Sequence, residues 1–142
     1  MKNVTIVMIE DDEGHARLIE KNIRRAGVLN EIVYFGDGSS AYAYFNNMRE
    51  HAPDTRPILI LLDLNLPDVS GIEILEYLKK DHVLKRAPVI VLTTTDDQTE
   101  VQRCYDLGCN VYITKPVDYE RFATAIRQLG LFFSVIQVPE PV

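Results

Sequence analysis

Acidic, hydroxyl and lysine side chains stand where four apolar segments of the sequence end. An EDD triplet at residues 10–12 follows VTIVMI, and Asp63 follows ILILL. A TTT triplet at residues 93–95 follows PVIVL, and TKP at residues 114–116 follows VYI. Each segment has the pattern of a buried parallel strand, and ligands bind at the carboxyl ends of such strands in open α/β sheets. We therefore expect all four polar groups to meet at one edge of a sheet.

These residue types suit phosphoryl transfer with a bound divalent cation. Clustered carboxylates repel one another, so they must bind a cation or raise a pKa. All-oxygen ligands that leave room for water and phosphate suit Mg²⁺. Asp63 can act as a nucleophile that forms an acyl phosphate, while Lys115 pairs with the phosphate and the Thr93 hydroxyl donates to it.

Each residue taken alone also has a structural explanation. Acids after a strand often cap helices, which is the expected role of Asp12 and an equal alternative for the two acids before it. Asp63 alone is more easily explained as a turn residue. Thr93 is also typical of a β-branched strand end, and most lysines, such as Lys115, are solvated. The functional interpretation therefore depends on the convergence of four segments.

The elements that position these groups alternate between strands and helices. Strands are predicted at residues 4–9, 31–35, 58–62, 88–92 and 111–114. Helices are predicted at residues 13–26, at 37–50, around Ile72–Leu78, from Asp96 or Asp97 to Gly108, and from Asp118 onward. This alternation predicts a parallel sheet with helices on both faces, and ILILL is apolar enough for its centre.

Composition favours one cytoplasmic domain. The chain has 142 residues, of which 46% are hydrophobic and 25% charged, and no segment has the pattern of a signal peptide or a membrane span. A net charge of −6 argues against binding to nucleic acid. Cys104 and Cys109 have no histidine nearby, so we expect buried structural thiols rather than a metal site.

Four motifs resemble the receiver domains of response regulators in two-component systems. They are IEDDE, LLDLNLPDVSGIEIL, PVIVLTTT and GCNVYITKP, and the resemblance covers nearly the whole chain to about Leu129. It implies a flavodoxin-like (βα)5 doubly wound sheet of strand order 2-1-3-4-5. It also implies that a partner histidine kinase phosphorylates Asp63.

The same resemblance assigns a role to each site residue. Asp63 and Asp11 would bind Mg²⁺ directly, with the backbone carbonyl of Asn65 as a third protein ligand and Glu10 acting through water. Lys115 would pair with the phosphate, and the peptide bond between Lys115 and Pro116 would be cis.

Three further roles concern switching. Thr93 would move toward the phosphate on activation, and Tyr112 would follow it inward, although a half-buried strand tyrosine is the alternative for Tyr112. Asn65 and the two threonines after Thr93 would set the lifetime of the phosphoryl group. His15, His51 and His82 match no phosphorelay histidine and are expected at the surface, so the donor must be another protein.

The chain is predicted to consist of a receiver domain at residues 1–130 and an apolar C-terminal tail at residues 131–142. Because little follows the last helix, the output is expected to be protein binding. The tail is predicted to form a homodimer or partner surface through Leu131, Phe132, Phe133 and Ile136; folding back on the core is the alternative. The tail resembles that of the small response regulators paired with bacterial phytochromes, which points to a light-sensing kinase.

Two other functions are alternatives to a phosphoacceptor switch that is not an enzyme, and the sequence argues against both. A Mg²⁺-dependent phosphohydrolase with an aspartyl-phosphate intermediate needs a second acid two residues after its nucleophile, where this chain has Asn65. A nucleotide-binding module needs a glycine-rich loop after a strand, and the sequence has none.

Overall fold

One parallel sheet organises the part of the chain that the computed structural model describes, residues 4–25, 27–51, 57–115, 120–121 and 124. Its strands are β1 (Thr5–Ile9), β2 (Ile32–Phe35), β3 (Ile58–Leu62), β4 (Val89–Thr93) and β5 (Val111–Thr114). The helices are α1 (Glu13–Arg25), α2 (Gly38–Glu50), α3 (Gly71–Lys80) and α4 (Gln98–Leu107), with a 3₁₀ turn at Leu84–Arg86. The strand order β2-β1-β3-β4-β5 confirms the predicted flavodoxin-like fold. The helix predicted from Asp118 falls mostly outside the described residues.

Strand β3 lies at the centre of the sheet and is buried on both faces. Leu59 and Leu61 pack into a core on the face of α1, whereas Ile60 and Leu62 pack into a larger core with α2, α3 and α4. All five residues of β3 are buried. The unbroken apolar run in the sequence is explained by these two cores, because alternate side chains enter opposite faces.

Local capping residues set the ends of the helices as the sequence predicted. The Asp37 side chain accepts a hydrogen bond from the backbone N–H of Ser40 at 2.8 Å, and α2 begins at the next residue. Asp97, one of two predicted alternatives, caps α4. Gly27 and Gly108 follow α1 and α4 with φ angles of 86° and 109°, which favour glycine.

Two details refine the predictions. Strand β4 includes Thr93, because this residue pairs with Thr114 of β5. Cys104 and Cys109 are buried and free, as predicted, and burial raises the pKa of their thiols to about 11 and about 12. Among the described helices, none is long and apolar enough to span a membrane.

Candidate functional site

Three carboxylates are brought together by the pairing of β1 with β3. Asp63 follows β3, and its backbone N–H donates to the carbonyl of Ile9, the last residue of β1, at 3.0 Å. Glu10 and Asp11 follow that same residue. One carboxylate oxygen from each of Glu10, Asp11 and Asp63 lies within 4.8 Å of the others. Glu10 and Asp63 are buried and Asp11 is exposed, so the acid cluster (Glu10, Asp11 and Asp63) opens to solvent on one side.

Lys115 brings a positive charge into the acid cluster from β5. Its backbone N–H donates to the carbonyl of Thr93 at 2.7 Å, which continues the pairing of β4 with β5. Its ammonium donates to Glu10 Oε1 and, at 3.0 Å, to Asp63 Oδ2. The side chain is only 6% exposed. These two ion pairs of Lys115 link residues far apart in sequence and lie at the centre of the site.

The site holds more negative charge than its lysine can balance. Burial raises the pKa of Glu10 to about 7, and the nearby Asp63 carboxylate acts in the same direction. The hydrogen bond from Lys115 acts to lower this pKa but does not outweigh them. For Lys115, burial acts to lower the pKa, but the bonds to both carboxylates outweigh it and the pKa is raised. Three ionised carboxylates and one ammonium would leave a net charge of −2. A divalent cation with a preference for oxygen ligands fits this donor set.

Asn65 links the acid cluster to β4. Its backbone N–H donates to Asp63 Oδ1 at 3.0 Å. Its side-chain amide donates to the hydroxyl oxygens of Thr93 at 3.2 Å and Thr94 at 3.3 Å. Thr93 is fully buried, whereas Thr94 is exposed. The Thr93 hydroxyl is thus connected to Asp63 through a single residue.

Close contacts fix the loop that follows Asp63 and leave no room for a side chain at Gly71. The N–H of Gly71 donates to the carbonyl of Leu64 at 2.9 Å, and a Cβ at position 71 would lie 2.4 Å from the Asp63 carbonyl oxygen. Farther along the loop, the Asp68 carboxylate accepts from the N–H groups of Gly38 and Ser39 at 2.8 and 2.9 Å and from the Ser39 hydroxyl at 2.7 Å. The loop is therefore fixed at both α3 and α2.

Tyr112 connects β5 to the loop after β4. Its hydroxyl donates to the carbonyl of Thr95 at 2.6 Å, and burial raises its pKa to about 12. Its backbone N–H donates to the hydroxyl oxygen of Tyr105, an α4 residue that the sequence did not single out. The half-buried position agrees with both alternatives for Tyr112, and its switching role stays a prediction.

Most of the predicted site residues meet at this sheet edge. The structure brings together Glu10, Asp11, Asp63, Asn65, Thr93 and Lys115. Pro116 and the tail residues Leu131, Phe132, Phe133 and Ile136 lie outside the described residues.

The histidines are exposed, as predicted, but one of them was not foreseen near the site. The ring of His15, in the first turn of α1, has its Nδ1 atom 3.1 Å from the Lys115 ammonium. Neither composition nor spacing signalled this contact. His51 and His82 lie on other parts of the surface, and His51 contacts the carbonyl of Asn47.

Comparisons with known proteins point to one family. A family profile described as the response regulator receiver domain matches residues 6–127. The solved response regulator receiver domain from Rhodospirillum rubrum is 65% identical, with a TM-score of 0.75 over 96% of this chain and 98% of that one. Response regulator Rcp1 of Synechocystis is 38% identical over 78% of this chain and 75% of its own length.

Two further solved structures bear on the site. The phosphorylated cyanobacterial phytochrome response regulator RcpA is 36% identical, with a TM-score of 0.74 over 97% of both chains. A Mn²⁺-bound form of Rcp1 aligns with a TM-score of 0.74 and 31% identity over 98% of this chain and 99% of that one.

Proposed function

Because this chain belongs to the response regulator receiver family and acts in a two-component phosphorelay, we propose that Asp63 is the residue that accepts the phosphoryl group. The observation that carries the proposal is the Lys115 ammonium, 3.0 Å from Asp63 Oδ2, inside a cluster of three carboxylates. A buried carboxylate with a lysine beside it can attack phosphorus and then have its new phosphate neutralised.

The transfer step moves the phosphoryl group from a histidine of the partner kinase to Asp63. A carboxylate oxygen of Asp63 attacks the phosphorus of a phosphohistidine, the P–N bond breaks, and the imidazole nitrogen keeps the electron pair and takes a proton. Lys115 pairs with the phosphate that now sits on Asp63. Hydrolysis later breaks the P–O bond, restores the carboxylate and releases inorganic phosphate.

The acid cluster is proposed to bind Mg²⁺. The three carboxylates and the net charge of −2 fit a hard divalent cation, and the relative Rcp1 has been solved with Mn²⁺. Asp11 and Asp63 would be direct ligands, with the Asn65 carbonyl as a third and Glu10 acting through water. A bound Mg²⁺ neutralises negative charge on the transferring group.

The switch is proposed to run from Thr93 to Tyr112. A phosphoryl group on Asp63 offers new acceptors to the Thr93 hydroxyl, which the Asn65 amide contacts in this structure. A shift of Thr93 would move the loop after β4, and that loop carries the Thr95 carbonyl to which Tyr112 donates. The altered α4–β5 surface would be the signal read by a protein partner.

The test of Asp63 uses a small-molecule donor, so that no kinase is needed. With acetyl phosphate and Mg²⁺, the wild-type protein gains the mass of one phosphoryl group. Asp63→Asn gains none, whereas Asp68→Asn, a matched substitution on the same loop, still gains it. Equal labelling of the Asp63→Asn variant would refute the assignment.

The donor is proposed to be a histidine kinase of the phytochrome class. The support is the likeness to RcpA, a cyanobacterial phytochrome response regulator, over 97% of both chains. A phytochrome kinase carrying label on its histidine should pass the label to this protein faster than an unrelated histidine kinase does. Equal rates from both kinases would contradict this donor.

The tail is proposed to mediate a homodimer. The support is the apolar sequence of residues 131–142, with Leu131, Phe132, Phe133 and Ile136. Truncation after Leu129 should shift the mass measured by light scattering toward a monomer. A truncated chain that keeps its full-length oligomeric mass would reject this role.

The protein is proposed to be a switch rather than a hydrolase. The side-chain amide of Asn65, where the hydrolases carry an acid, donates to two threonine hydroxyls and offers no carboxylate. We expect slow loss of label from Asp63 and no turnover of p-nitrophenyl phosphate. Catalytic turnover of that ester by wild type, lost in Asp63→Asn, would favour the hydrolase. The cytoplasmic location and the lack of nucleic-acid binding stay predictions.

A further inference from the structure

The Lys115 ammonium has three acceptors around it, one for each of its N–H bonds. Two are the carboxylates of Glu10 and Asp63, and the third is Nδ1 of His15 at 3.1 Å. An ammonium group only donates hydrogen bonds. A hydrogen bond at this distance therefore needs Nδ1 to accept, which places the ring proton on Nε2.

We propose that His15 is a positioning residue for phosphoryl transfer, which holds the Lys115 ammonium against Asp63 through Nδ1. The inference rests on the proposed role of Asp63 and adds a residue to the same site. With all three N–H directions occupied, the ammonium has one preferred orientation. Holding a charged group in place before the reaction removes the cost of ordering it during the reaction.

The position of the His15 ring is set by α1 and its cap. The side chain of Asp12 accepts from the backbone N–H of His15 at 3.0 Å, which places this residue in the first helical turn. The other carboxylate oxygen of Asp12 lies 3.9 Å from Nδ1. The ring therefore lies between the Asp12 carboxylate, just before α1, and the Lys115 ammonium, just after β5.

Loss of the acceptor at position 15 would end the contact with Lys115. Lys115 would keep its two carboxylate partners but lose the third contact that orients it. The rate of phosphorylation should therefore fall.

Two substitutions at position 15 separate the acceptor from the rest of the side chain. His15→Gln offers an amide oxygen that can accept from Lys115, whereas His15→Leu offers no acceptor. His82→Gln is a matched control, because His82 is exposed on the loop between α3 and β4, at the opposite edge of the sheet. Circular dichroism checks that each variant is folded.

The measurement is the initial rate of phosphorylation by acetyl phosphate with saturating Mg²⁺ at pH 8. We expect His15→Leu to be about threefold to tenfold slower than wild type, the weight of one hydrogen bond. His15→Gln should recover most of the wild-type rate, because its amide oxygen replaces the lost acceptor.

A His15→Leu rate equal to that of wild type, or a His15→Gln rate as low as that of His15→Leu, would overturn the inference. The same holds if His82→Gln is slowed as much as His15→Leu. Failure of the proposed function would look different, because Asp63→Asn would then be labelled as wild type is. Labelling confined to Asp63 with no effect at His15 would remove this inference alone.

Discussion

Asp63 and Asp68 stand on the same loop after β3 and have opposite surroundings. Asp68 accepts three hydrogen bonds from the N-terminus of α2, and these bonds, with that of the Ser39 hydroxyl first, lower its pKa to about 2. Asp63 lies beside the buried Glu10 and the exposed Asp11, and one lysine pairs with Glu10 and Asp63. The charge of Asp68 is satisfied by the fold, whereas the acid cluster keeps an excess of negative charge.

This difference separates a structural acid from a functional one. Hydrogen bonds that favour the ionised form of Asp68 stabilise the helix it caps. Burial and neighbouring charge work the other way at Glu10 and raise its pKa to about 7. Unbalanced charge costs folding free energy unless a bound cation relieves the repulsion. Such clusters are therefore typical of functional sites. The contrast makes four predictions, from the largest expected effect to the smallest.

Removing the lysine should have the largest effect. Lys115→Met leaves two buried carboxylates without their counter-charge, so we expect the unfolding free energy at pH 8 without metal to fall by about 3 kcal/mol. Urea denaturation measures this unfolding free energy. Lys79→Met is the control, because the half-buried Lys79 side chain donates to the carbonyls of Lys85 and Ala87 and has no carboxylate partner among the described residues. Equal losses for the two variants would erase the contrast between the regions.

Glu10 should make the stability of the protein depend on pH. Its folded pKa of about 7 lies above its ordinary value of 4.5, so its stabilising contribution is complete below about 4.5 and lost as the pH rises through about 7. Without metal, wild type should lose on the order of 2 kcal/mol relative to Glu10→Gln between pH 5 and pH 8. Parallel pH curves from urea denaturation would contradict the raised pKa.

Mg²⁺ should stabilise the folded protein by relieving repulsion in the acid cluster. At ten times the dissociation constant, binding adds about 1.4 kcal/mol, or several degrees in the melting temperature. Asp11→Asn should reduce this gain, whereas Asp68→Asn should retain it. A melting temperature that does not respond to millimolar Mg²⁺ would argue against the metal site.

The smallest effect is expected at Asp68. Its pKa of about 2 is below the ordinary value of 3.8, so its contribution is present above pH 4 and is lost as the pH falls through about 2. Asp68→Ala should lower the melting temperature slightly at pH 7 and should leave the stabilisation by Mg²⁺ intact. Loss of that stabilisation in Asp68→Ala would show that the two regions are not independent.

The fold was predictable where local pattern and tertiary environment agree. Strands β3 and β5 have the bounds that the apolar segments predicted, since their buried faces coincide with those segments. The bounds of β4 moved by one residue because strand pairing, rather than hydrophobicity, includes Thr93. The acid cluster was predictable because parallel strands bring their carboxyl ends to one edge.

Contacts that depend on the distance between elements were not predictable. The ring of His15 meets Lys115 only because the first turn of α1 and the end of β5 approach each other in space. Asp68 caps a helix that begins 30 residues earlier, and Tyr105 reaches β5 from the far end of α4. None of these contacts leaves a local sequence signal, since they arise from packing geometry.

The most direct test of the central claim is the chemical position of the phosphoryl group. Borohydride reduces an aspartyl phosphate to homoserine, and tandem mass spectrometry can locate that residue after phosphorylation with acetyl phosphate and Mg²⁺. We predict homoserine at position 63 in wild type, and unchanged aspartate at position 68 of the same peptide. Homoserine at another acid, or none at position 63 in a protein that has gained a phosphoryl group, would contradict the account.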